Sequence, residues 1–65
     1  MWIVVHMAKS EKGAMEIEDM LKREGFMVKH RAVYRNVPSS ENYYEILVLG
    51  AEAEEARQVL MENGI

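Results

Sequence analysis

Leu21–Phe26 reads LKREGF, and Leu60–Ile65 reads LMENGI. Each is a leucine, three mostly polar residues, a glycine and an apolar residue. This spacing predicts a helix C-terminus. The glycine takes a left-handed conformation just past the cap, and the apolar residue folds back onto the leucine. Lys22 and Arg23 suit the negative end of the first helix dipole. What precedes and follows these two stops decides the fold.

Upstream of the first stop, Ser10 is a good N-cap and Glu11 a favourable first-turn residue. Ala14, Ile17 and Leu21 then recur at helical spacing with Met20 beside them, while Glu16, Glu18, Asp19, Lys22 and Arg23 take the wetter side. Gly13 weakens the first turn by up to about 1 kcal/mol relative to alanine. Before the helix, Trp2–Ala8 (WIVVHMA) is short, apolar and rich in β-branched residues, which predicts a buried strand.

Downstream, the chain leaves Gly25 as a predicted strand, Phe26–Arg35. Phe26, Val28, His30, Ala32 and Tyr34 share one face; Met27, Lys29, Arg31, Val33 and Arg35 share the other. Asn36–Asn42 (NVPSSEN) is a loop by composition. Tyr43–Leu49 is a third strand, with Tyr44, Ile46 and Val48 opposite in direction to Tyr43, Glu45, Leu47 and Leu49. A second helix runs from Ala51 to Asn63, with Ala53, Ala56, Val59 and Leu60 as its apolar stripe and Glu52, Glu54 and Glu55 in its first turn.

The order is β-α-β-β-α in a single domain, residues 1–65. A hairpin around NVPSSEN makes the second and third strands antiparallel. The helical crossover makes the first and second parallel. The expected architecture is α+β: a ferredoxin-like (split βαβ) sandwich lacking the last strand, with a three-stranded sheet and two helices on one face. The third strand then lies in the middle. The first strand keeps an open, apolar edge, and the uncovered sheet face carries Val33, Leu47 and Leu49. Those three, together with Trp2, Ile3, Val4 and Val5, are the candidate interface of a homodimer. It pairs either along the first strand or across the sheet.

Size favours such bracing. A core in a 65-residue chain supplies roughly 3–5 kcal/mol. With no cysteine, disulfides and cysteine-based zinc sites are excluded. A net charge of −3 argues against general nucleic-acid binding. No run approaches the roughly 18 apolar residues that span a bilayer. The start of the chain lacks the basic segment of a signal peptide, so a cytoplasmic protein is expected. The six methionines are expected to fill irregular gaps in the core.

Charge is unevenly placed. Lys22, Arg23, Lys29, Arg31 and Arg35 face Glu24 alone in the Lys22–Arg35 stretch. Lys29, Arg31 and Arg35 are therefore candidates for binding an anion or an acidic partner. The same residues also suit edge protection, with Glu45 as a cross-strand ion-pair partner, or contact with the acidic second helix of a partner. His6 and His30 fall on strands separated by the third, roughly 10 Å apart, so no metal site is expected. Ser39 and Ser40 have no base near them in sequence, and Glu54 and Glu55 point apart on a helix, so no catalytic set emerges. No cofactor is implied. The loop, with Ser39, Ser40 and the flanking Tyr34, Tyr43 and Tyr44, is the remaining candidate recognition surface.

Met1-Trp2-Ile3-Val4-Val5, Glu24-Gly25-Phe26-Met27-Val28-Lys29, Tyr44-Glu45-Ile46-Leu47-Val48 and Glu52-Ala53-Glu54-Glu55-Ala56 together span nearly the whole chain. In them the sequence resembles a family of very small bacterial proteins common in anaerobic Firmicutes. The wider group is described as signal-transducing and is similar in fold to the PII (GlnB-like) regulators. The segment matching the long PII interaction loop is NVPSSEN, and no PII nucleotide-binding motif is present. The resemblance implies a non-enzymatic regulatory module, a homodimer that binds a protein partner or a small anionic ligand. An accessory subunit of a larger complex is the rival. An enzyme is a distant third, on the glutamate decarboxylase label that some short relatives carry.

Overall fold

The computed structural model describes Met1–Ile65. Both helix stops form by the mechanism their sequences carry. Gly25 and Gly64 adopt φ of +98° and +75°. At the first stop the Phe26 amide donates to the Leu21 carbonyl (3.1 Å) and the Gly25 amide to Lys22 (3.0 Å). At the second, the Ile65 amide donates to Leu60 (2.9 Å) and the Gly64 amide to Met61 (3.0 Å). This is the Schellman pattern twice over. A β-carbon at either glycine meets nothing within 4 Å, so backbone angle rather than space demands glycine there.

These stops delimit α1, Glu11–Arg23, and α2, Ala53–Glu62. At the other end of α1 the Ser10 hydroxyl accepts from the Gly13 amide at 3.0 Å, with Ser10 in extended conformation, as an N-cap requires. The strands are β1, Trp2–Ala8; β2, Val28–Ala32; and β3, Tyr44–Leu49. Their order is β1-β3-β2, with β3 antiparallel to both neighbours, so β1 and β2 run parallel. The protein is an α+β fold of ferredoxin-like type without a last strand.

Both helices cover the same sheet face, α1 over β2 and β3 and α2 beside β1. The core between the layers joins Ala14 and Leu21, Ala53, Ala56 and Leu60, and the sheet residues Ala8, Val28, Tyr44, Ile46 and Val48, with Phe26 closing the α1 stop. Alanine at three of the five helix positions lets the helices approach the sheet closely.

Several local expectations are corrected. The second strand ends at Ala32 rather than Arg35, and the third begins at Tyr44 rather than Tyr43. The Val33 amide still bonds Tyr43, but Tyr34 is then met by the side chain of Asn42. A 3₁₀ turn, Gly50–Glu52, precedes α2, so that helix starts two residues after Ala51. The methionines are not core filler. Met1, Met7, Met15, Met27 and Met61 are all exposed, and only Met20 packs partly against the core. Met7 and Met27 fall on the uncovered side of the sheet, and Met15 and Met61 on outer helix surfaces. No helix is long and apolar enough to cross a membrane.

Candidate functional site

The hairpin loop is built around Asn42, the only buried polar residue (3% exposed). Its Oδ1 accepts from the amides of Tyr34 (3.1 Å) and Tyr43 (2.8 Å). Its Nδ2 donates to the carbonyls of Tyr34 (2.7 Å) and Val37 (3.5 Å). The side-chain amide thus stands where a strand peptide would pair with Tyr34, and it ties both ends of the loop together. A 3₁₀ turn at Ser39–Glu41 follows Pro38, closed by the Glu41 amide on the Pro38 carbonyl (2.9 Å). From this fixed frame Tyr34, Arg35, Ser39, Ser40 and Tyr43 project into solvent.

The basic residues divide. Arg31 lies directly opposite Glu45, and its Nε donates to Glu45 Oε1 at 2.7 Å. Lys29 reaches across β3, and its Nζ sits 4.4 Å from the Trp2 ring centroid, an aromatic–cation contact between the two outer strands. Arg35 is exposed beyond the end of β2. Lys29 and Arg31 thus have partners within the sheet, and Arg35 stands with the loop residues.

The uncovered face can be read in rows from the strand register. Trp2 pairs with Leu49, and Met27, one step before β2, continues that row. The next row is Val4, Leu47 and Lys29; then Met7, Glu45 and Arg31; then Tyr43 and Val33. One end of the face is apolar and the other holds an ion pair. The Trp2–Lys29 arch spans β3 diagonally between the first two rows, and Leu47, in the second, is 2% exposed. Of the candidate interface residues, Trp2, Val4, Val33 and Leu49 share this face with Leu47, whereas Ile3 and Val5 pack toward the helices.

His6 and His30 both stand opposite Ile46, on either side of β3. His30 is instead held by α1: its Nδ1 lies 2.7 Å from Glu18 Oε1 and its Nε2 3.9 Å from Glu11 Oε2. Glu18 also meets Lys22 at 3.4 Å. The sequence reading missed this helix-to-strand link; its signal was His30 sharing a strand face with Val28, under a helix whose Glu11 and Glu18 are two turns apart. No group of three side chains is arranged to hold a metal ion. Comparison with family models, with curated proteins and with solved structures gave no match.

Proposed function

We propose that this chain is a non-enzymatic, cytoplasmic binding module of the PII-like signal-transducing type. It works as a homodimer and presents the Tyr34–Tyr43 loop to a protein partner. The observation that carries this reading is the Asn42 frame. A loop already held in one shape has little conformational freedom left to lose on binding. Of the side chains it displays, the two tyrosines and the arginine are of the kinds enriched at recognition surfaces. A small anionic ligand is the second reading, supported by Arg35. It has less support than a protein partner, because Lys29 and Arg31 are engaged within the sheet.

The test compares the immobilised wild-type chain with a Tyr34→Ala/Arg35→Glu variant in affinity capture. Both substitutions are at exposed positions, so the melting temperature should hold. A partner kept by the wild type and lost by the variant supports the loop. A partner kept equally by both overturns it, and favours an accessory subunit using another surface. A thermal upshift with nucleotides or phosphorylated metabolites, with no protein retained, transfers the site to an anion; a hundredfold excess over Kd contributes about 2.7 kcal/mol.

A further inference from the structure

We infer that the second copy packs face to face across the uncovered sheet, apolar row on apolar row, and does not extend the sheet at either edge. The inference rests on the homodimer of the preceding reading and supplies its geometry.

Both edges are guarded. Along β1 the register shifts between Val4 and His6, a bulge that bends the strand away from flat pairing. The Gly50 amide donates to the Met1 carbonyl at 2.8 Å. Alternation along an antiparallel ladder then turns the Val4 backbone outward. The outward Val4 carbonyl is already taken by Arg57 Nη2 at 3.4 Å. Along β2 a two-fold pairing centred on His30 would set Lys29 opposite Arg31 of the second copy, like charge on like. Edge strands blunted by a bulge and by charge do not recruit another strand.

At its apolar end the face carries a single charge, Lys29 over the Trp2 ring, whose long stem can swing its ammonium to the rim. Trp2, Met27 and neighbouring Met1 are exposed at 36%, 60% and 93%, and Leu49 lies between the first two. A two-fold axis parallel to the strands lays Trp2, Leu49 and Met27 on Met27, Leu49 and Trp2 of the second copy. An axis across the strands would instead bury the Arg31–Glu45 ion pair under that row, at a desolvation cost. The first arrangement is the aligned sheet packing of sandwiches. In it the ion-pair row lies on its own copy, Glu45 opposite Glu45 across the axis, and because Arg31 neutralises Glu45 the two copies do not meet as bare carboxylates. Three strands about 4.8 Å apart and some five residues long give a small interface, on the order of 1,000 Å² in total. That is about the least area a specific dimer uses.

The chain has no cysteine, so single-cysteine variants report geometry cleanly. Sedimentation and oxidative cross-linking of Leu49→Cys and Val4→Cys, with sedimentation of Met27→Glu, make the test. The expected result is a wild-type dimer, rapid disulfide dimer formation by Leu49→Cys, and a Kd raised about tenfold or more by Met27→Glu with its circular dichroism unchanged. A dimer that survives Met27→Glu, or cross-links through Val4→Cys in preference to Leu49→Cys, overturns the face-to-face geometry and leaves the homodimer standing. A wild-type chain that sediments as a monomer at several hundred micromolar overturns both.

Discussion

At the scale of single residues, Asn42 carries more than any other polar side chain. It satisfies two amides and the Tyr34 carbonyl in a buried place, and the penalty for a buried group left unpaired is about 1–3 kcal/mol. Asn42→Ala leaves Tyr34 and Tyr43 without an acceptor. Asn42→Asp keeps that acceptor but turns an oxygen toward the carbonyls of Tyr34 and Val37. Each variant should lose about 2 kcal/mol, lowering the melting temperature of so small a domain by roughly 15 °C. Thermal unfolding followed by circular dichroism reads this directly. A melting point within a degree or two of wild type for both variants would mean that the loop holds its shape without the amide. The same residue explains where the sequence reading ran out. Period-two alternation continues through Tyr34, so nothing local ends the strand. The strand stops because its next partner is a side chain eight residues further on.

Among the elements, the parts legible in the sequence were those set by contacts a few residues long. The two helix stops need only a glycine at positive φ and an apolar residue after it, and both formed. Strand order followed from the crossover and the hairpin. What was not legible depends on how one element lies over another. Methionine burial is decided by which sheet face and which helix side are covered, and five of the six fell on uncovered surfaces. The His30–Glu18 link likewise depends on the rotation of α1 about its axis above β2. That link is open to a double-mutant cycle. Glu18→Ala, His30→Ala and the pair together should show a coupling of about 1 kcal/mol in chemical denaturation. The parallel cycle of Glu18 with Lys22, a neighbouring pair on one helix with Lys22 well exposed, should give no more than about 0.5 kcal/mol. Equal couplings in the two cycles would make His30 an ordinary surface contact and α1 a helix held by its apolar stripe alone.

For the whole molecule the governing fact is a two-layer fold with one layer uncovered. The core of one protomer is small: its largest fully buried side chains are Leu21, Ile46, Leu47 and Val48. Of these Leu47 is enclosed not by a helix but on the open face, where Trp2 and Lys29 meet above β3. A chain of this size is marginal alone, and in the proposed homodimer a second copy over that face adds stability by mass action. The consequence is a melting temperature that depends on protein concentration. Unfolding a dimer of two such chains releases entropy on the order of 0.27 kcal/mol/K. Each tenfold rise in concentration above Kd shifts the equilibrium by about 1.4 kcal/mol per dimer, so the midpoint should climb roughly 5 °C per decade. Melting curves from about 5 to 500 µM would trace this slope whichever surface the copies use. A midpoint that stays level over the whole range would mean that one protomer, with Leu47 under its own arch, is stable without a partner.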